Sequence, residues 1–287
     1  NLSDEPVIID DKVAEEQLMN VADAIVSGNR RIHNRCDDSV VRIMRNQTTL
    51  IRRSRGFVPH PVDLSFNVDG ILALGAEQKN TFCIGKGIQA IPGQYIGDLK
   101  NAATCDFYTE SIERFFRLFR FEPSLLACDL HPDYYSTRYA CFLEKEYGIP
   151  LIKVQHHHAH IASCMAEHDL NERVIGICFD GTGYGDDGHI WGGEFMLADR
   201  GEFKRYTHFE YVPMPGGDKA VKEPWRMALS YLLKYFGDSL DYRGFEAFKS
   251  VSQNEFLLVK EMILHNINSP LTSGAGRLFD AVSALTG

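Results

Sequence analysis

The stretch Val154-Gln155-His156-His157-His158-Ala159-His160, followed after a short helical segment by Phe179-Asp180-Gly181-Thr182-Gly183-Tyr184-Gly185, decides how this chain is read. Four of the chain's 11 histidines stand there within five residues. Histidines at i and i+4 share one face of a helix, near enough to hold one metal ion, which makes His156 and His160 the candidate pair. The glycines that follow let a backbone come close to phosphates. A metal beside a phosphate loop points to chemistry on a nucleotide-activated group.

Outward from that stretch, strand-like runs at 125–128, 151–154 and 174–179 alternate with helical patterns at 108–120 and 135–147. In the first helix Ile112, Phe115, Phe116 and Phe119 recur at i, i+3, i+4 and i+7. Runs 71–75 and 80–84 read as two further strands joined by a polar turn at 76–79. The alternation predicts an α/β domain with a mixed sheet. Ligands of such sheets collect at the carboxyl ends of strands. Asp129, Asp180 and the histidines all stand at such ends and are expected to converge on one crevice. Two histidines with Asp180 leave coordination positions open for substrate, which suits iron, manganese or zinc. The competing reading has no metal: His157 and His158 face solvent, and His160 packs in the core.

The segment 181–188, followed by Trp191-Gly192-Gly193-Glu194, reads as a hairpin turn lining a phosphate site, and 74–81 offers a second such turn. Paired strand–turn–strand phosphate loops characterise the actin and sugar-kinase class. Nucleotide contacts are therefore expected from Lys79 in one turn and from Asp180, Gly181, Thr182 and Gly193 in the other. Pro215-Gly216-Gly217-Asp218 and Ser273-Gly274-Ala275-Gly276 add Gly217, Asp218 and Ser273 as candidates.

Residues 1–60 carry a helical pattern from Val13 to Ile25 and then a basic segment from Arg30 to Arg55. Its arginines alternate with β-formers, as in Val40-Val41-Arg42-Ile43-Met44-Arg45, and are expected to converge on one surface that takes an anion such as a nucleotide phosphate. Arg53 is the candidate singled out. Val58-Pro59-His60-Pro61 reads as a linker and places a domain boundary near residue 60.

At 287 residues the chain has room for one large or two ordinary domains. No apolar run approaches the roughly 18–20 residues of a membrane span, and the polar, acidic start is unlike a signal peptide. The net charge of −9 argues against a general nucleic-acid binder. The seven cysteines are scattered without a CxxC pair and read as buried, reduced thiols of a cytoplasmic protein. None looks like a nucleophile, so a reacting thiol is expected from a partner.

Ordered strings along nearly the whole chain resemble the HypF family, the carbamoyltransferases of nickel–iron hydrogenase maturation. They include Asn1-Leu-Ser-Asp-Glu-Pro6, His33-Asn-Arg-Cys-Asp-Asp-Ser39, Arg52-Arg-Ser-Arg-Gly-Phe-Val-Pro59 and Ala73-Leu-Gly-Ala-Glu-Gln-Lys-Asn-Thr-Phe82. Further on stand Cys128-Asp-Leu-His-Pro-Asp-Tyr134, Gln155-His-His-His-Ala-His160, Glu223-Pro-Trp-Arg226 and Gly276-Arg-Leu-Phe-Asp-Ala281. The resemblance implies that residues 1–60 are the C-terminal part of a YrdC-like α/β domain, in which Asn1 and Ser3 end a nucleotide motif. That domain makes carbamoyl-adenylate from ATP, with its magnesium, and carbamoyl phosphate. Residues 61–287 resemble the Kae1-like domain shared with tRNA threonylcarbamoyl transferases, which has the actin-like, ribonuclease H-like fold.

In that family the carbamoyl group passes to the C-terminal cysteine of HypE, releasing AMP. Carried over, the resemblance makes His156, His160 and Asp180 metal ligands, with His157 and His158 behind them or touching substrate. The family pattern extends on both sides, with acylphosphatase-like and zinc-finger regions before this sequence and a further metal-binding aspartate after it. An antibiotic O-carbamoyltransferase, a tRNA threonylcarbamoyl transferase and a non-catalytic docking module are the rival readings. The Gln155-His-His-His-Ala-His160 string and YrdC-like sequence on the same chain favour the first reading over the tRNA transferase. The Asn1–Pro6 and Cys128–Tyr134 strings favour it over the O-carbamoyltransferase, and metal analysis separates the docking module.

Overall fold

In the computed structural model, which describes residues 6–237 and 241–287, the first helix is α1 (Asp11–Leu18) and the first hairpin joins β1 (Val40–Met44) to β2 (Gln47–Arg52). Asp10 caps α1 by accepting the N–H groups of Lys12 and Val13. The helical pattern was expected to run to Ile25, but the helix ends at Leu18. It buries none of its residues, and without packing the β-branched Val21 and Ile25 do not extend it.

The chain divides into two compact units, one through Val154 and one from Gln155. The expected linker at 58–61 lies inside the first unit. Here β3 (Val62–Asp63), β4 (Ile71–Ala73), β5 (Cys83–Lys86), β6 (Gln89–Pro92), β7 (Leu125–Asp129) and β8 (Leu151–Val154) form a mixed sheet in the order β3-β6-β5-β4-β7-β8. β4, β7 and β8 run parallel, and the other neighbours pair antiparallel. The helices α2 (Ala102–Phe119) and α3 (Tyr135–Tyr147) supply the apolar faces. α2 starts earlier than its apolar period because Asn101 caps it, accepting the Thr104 N–H at 2.8 Å. Phe107, Tyr108, Ile112 and Phe115 of α2 pack with Leu72, Ile84 and Leu126 of the sheet. Each fully buried side chain of this size contributes about 1.5–3 kcal/mol.

The second unit begins with α4 (His156–Glu167), then β9 (Val174–Tyr184), β10 (Ile190–Ala198), β11 (Phe203–His208) and β12 (Val212–Pro213). After the short α5 (Asp218–Lys222) come α6 (Trp225–Phe236), α7 (Gln253–Leu264), β13 (Leu271–Thr272) and α8 (Ala275–Thr286). β10 is central: it pairs antiparallel with β9 and β11 and parallel with β13. α8 lies against both α6 and β9.

One expectation is corrected in this unit. The strand ending on Asp180 continues to Tyr184, because its pairing with β10 resumes on the far side of a bulge. The tight turn is confined to the segment after it, where Gly188 N–H donates to Gly185 and Gly185 N–H to His189.

Candidate metal centre

Gln155 starts the histidine helix. Its side-chain oxygen accepts the N–H groups of His157 (2.6 Å) and His158 (3.0 Å), and its amide donates to the Tyr184 carbonyl at 3.1 Å. The first turn of α4 is thereby tied to the far end of β9. From that start the helical period puts His156 and His160 on one face, with their Nε2 atoms 3.2 Å apart. Asp180 Oδ2 sits 3.2 Å from His156 Nε2. All three ligand atoms lie within 4.8 Å of one another. Two imidazole nitrogens and a carboxylate oxygen converging on one point fit a divalent ion such as iron, manganese or zinc.

The approach of helix to strand depends on Gly183. A methyl group there would meet His157 Cε1 at 2.4 Å and His156 Cδ2 at 3.2 Å. Burial alone would raise the pKa of Asp180, but hydrogen bonds from His156 and from the Gly181 N–H at 2.6 Å outweigh it and hold the group at about 2. Asp180 is therefore ionised at neutral pH. His157 is pushed down to about 4, chiefly by burial and then by His156, and stays neutral. Its Nε2 is buried without a hydrogen-bond partner among the described residues.

The burial expected in the competing reading is inverted. His157 and His158 are buried, while His160 is exposed. His158 Nε2 donates to the Asp199 carbonyl at 2.8 Å and its ring packs on Phe203. The exposed face of the helix is thus the one that carries His160 to the cluster.

The remaining candidates are shared between the two units. Asn1 and Ser3 lie outside the described residues. In the first unit, Asp129 is buried and turned to its own loop, accepting the His131 N–H at 2.8 Å. Lys79 has an exposed side chain, and its N–H donates to Asp98 at 2.8 Å. Arg53 donates to the His60 carbonyl at 2.8 Å, and its Nε is buried without a partner among the described residues. In the second unit, Gly217 caps α5 and Asp218 is exposed in its first turn. Gly181, Thr182 and Gly193 belong to the β9–β10 pair, and Ser273 is buried with its hydroxyl donated to Glu194 at 2.5 Å.

All seven cysteines are free thiols. Burial pushes Cys83 up to about 12 and Cys128 and Cys178 to about 11, which keeps them protonated and weakly nucleophilic. Cys128 and Cys178 are buried as expected, whereas Cys36, Cys83, Cys105 and Cys141 are half-buried and Cys164 is exposed. No helix among the described residues is long and apolar enough to cross a membrane.

Sequence reasoning passed over Glu194, which stood in a quoted string only as a neighbour of two glycines. It is fully buried and receives hydrogen bonds from three chain segments. A carboxylate within an apolar, strand-forming run was the available signal.

Comparison with known proteins follows the same lines. Residues 67–167 match the family model described as HypF Kae1-like domain, and residues 176–287 the carbamoyltransferase Kae1-like domain, second subdomain. Residues 1–54 match the Sua5/YciO/YrdC model, described as telomere recombination. Carbamoyltransferase HypF2 of Cupriavidus necator is 42% identical over 100% of this chain and 35% of its own length. Carbamoyltransferase HypF of Rhizobium leguminosarum is 38% identical over 100% of this chain and 37% of its own. The chain therefore spans little more than a third of these relatives. A crystal structure of full-length HypF in a phosphate- and nucleotide-bound form superposes with a TM-score of 0.90 at 44% identity, over 99% of this chain and 44% of the other. HypF of T. kodakarensis gives 0.89 at 37% identity, over 99% and 38%.

Proposed function

The chain belongs to the HypF carbamoyltransferase family, and from that membership we propose that it carries a carbamoyl-transfer site centred on His156, His160 and Asp180. Residues 1–60 contribute to a YrdC-like domain in which carbamate, freed with inorganic phosphate when water cleaves carbamoyl phosphate, attacks magnesium-bound ATP at its α-phosphate to give carbamoyl-adenylate and pyrophosphate. Residues 61–287 belong to the Kae1-like domain, where the carbamoyl group moves to the C-terminal cysteine of HypE and AMP is released. The convergence of three ligand atoms from a helix and a bulged strand carries this reading.

In the transfer step the acceptor thiolate sulfur attacks the carbamoyl carbon, and the bond from that carbon to the adenylate phosphate oxygen breaks. AMP leaves with the electron pair. The phosphate- and nucleotide-bound relative supports phosphates and a nucleotide as ligands here. A divalent ion at His156, His160 and Asp180 would act as a Lewis acid on the carbamoyl carbonyl or the phosphate. Asp180, held ionised, offsets part of the cationic charge. His157, held neutral, adds no competing charge beside the ligands. The high thiol pKa values of Cys83, Cys128 and Cys178 agree with a nucleophile supplied by the partner.

The test uses the full-length protein with labelled carbamoyl phosphate, ATP and HypE. Label on the HypE C-terminal cysteine with matching AMP release is the expected result. Label on a small-molecule hydroxyl or on tRNA instead would replace the acceptor assignment.

A further inference from the structure

Glu194 has no exposed surface, an unusual place for a carboxylate. Its Oε1 accepts the N–H groups of Gly192 (3.0 Å) and Gly193 (3.2 Å) and the Ser273 hydroxyl (2.5 Å). Its Oε2 accepts Arg205 Nε at 2.7 Å. Arg205 in turn lies 3.9 Å over the Trp191 ring and donates to Asp187 (3.1 Å) and the Tyr211 hydroxyl (2.9 Å). One carboxylate thus joins the start of β10, the turn before α8, and β11.

Those segments meet opposite Asp180. In the β9–β10 register, Trp191 pairs with Gly183 and Gly193 with Phe179, so Asp180, Gly181 and Thr182 stand against Gly192 alone. That is a bulge, a device that re-aims a side chain out of the regular strand alternation. The junction has no spare room. A methyl group on Gly192 would lie 2.6 Å from the Asp180 carbonyl oxygen, one on Gly274 2.4 Å from the Gly181 carbonyl oxygen, and one on Gly276 2.9 Å from Gly181 Cα.

We infer that Glu194 is a positioning residue for the proposed metal centre: it holds Gly192, Gly193 and Ser273 together, and so fixes the bulge that presents Asp180 to His156 and His160. This rests on reading those three residues as metal ligands. The chemistry of the donors explains why a carboxylate is required. Oε1 faces three donors and Oε2 a fourth, so glutamine would have to set its NH2 against the Arg205 N–H or against the glycine N–H groups. Glu194 makes no contact with the ligand atoms in this arrangement and acts through the backbone.

The experiment is manganese(II) titration of the full-length protein, followed by electron paramagnetic resonance, with His156→Ala/His160→Ala as the reference for other cation sites. Glu194→Gln and Glu194→Asp are compared with the parent after thermal melting has established that each is folded. Glu194→Asp keeps the negative charge but shortens its reach, so it separates positioning from simple charge attraction. Both variants are expected to bind manganese about 10- to 100-fold more weakly, the range found when groups that orient metal ligands are changed. Wild-type affinity in either folded variant, even with a lowered melting temperature, would overturn the inference and leave Glu194 a purely structural residue. A parent that binds no more manganese than the double-histidine reference would instead refute the metal assignment itself.

Discussion

The histidines of α4 and the arginines between Arg30 and Arg55 are both dense runs of chemistry-bearing side chains, yet they end in opposite circumstances. A helix returns its residues to one face every three to four positions, and β9 then brings Asp180 to the face that holds His156 and His160. The arginines sit on an irregular segment and a hairpin whose first strand is exposed throughout. Arg52 lies 4.4 Å over the Tyr95 ring and 3.9 Å from Asp37, Arg53 donates to His60, and Arg55 pairs with Asp38 at 3.5 Å. Each takes a different partner. Density in sequence becomes convergence only where the element's period and a second element both point to the same place.

The sharpest way to break this contrast is to remove one of the proposed ligands. His160→Ala should lower manganese affinity by more than about 100-fold, beyond the effect of residues that only orient ligands. An unchanged binding isotherm would put the metal elsewhere. Next in size is Glu194→Ala, which leaves Arg205 facing a cavity where its buried partner stood. Its cost should be about 3–5 kcal/mol, read from denaturant unfolding of the second unit. A loss below about 1 kcal/mol would show that the network is slack.

Gly183→Ala tests the helix–strand approach. The added methyl is expected to cost about 1–3 kcal/mol by overpacking against His157, with weakened metal binding. Stability and affinity both at the parent level would mean that the contact yields easily.

How far the sequence carried the reading differs between these parts. The i, i+4 histidines and the strand–helix alternation were legible because period alone encodes them. The side of α4 that would be buried was not legible. His157 and His158 differ in phase from His156 and His160, but the choice between faces belongs to Gly183, Phe203 and Asp199, which arrive from other segments. Asp180 was found, but as a strand end. Its bulge depends on Glu194 and on Ser273, a residue 79 positions further along. Such a junction has no local pattern.

Smaller effects sharpen the comparison at its edges. Burial would raise Asp187, but hydrogen bonds from Tyr211, His189 and Trp191 and the charge of Arg205 bring it down to about 2 from 3.8. A depressed carboxylate stabilises the folded state above its ordinary pKa and loses that contribution as pH falls through the folded value. Asp187→Asn should therefore melt below the parent above about pH 4, and the gap should close towards pH 2. A constant gap down to pH 2 would remove the ionic role. Arg55→Ala, which breaks an exposed pair, should change stability by less than about 1 kcal/mol. A larger loss would show that the arginine segment is wired more like the histidine cluster than its exposure indicates.

Under the proposed function, the histidine cluster performs transfer and takes no part in making the adenylate. The most direct test is a single-turnover experiment on full-length protein and His160→Ala, following carbamoyl-adenylate and HypE thiocarboxamide together. The variant is expected to form the adenylate still, while transfer to HypE falls to background. Transfer at the parent rate, or loss of adenylate formation with the His160 change alone, would contradict it.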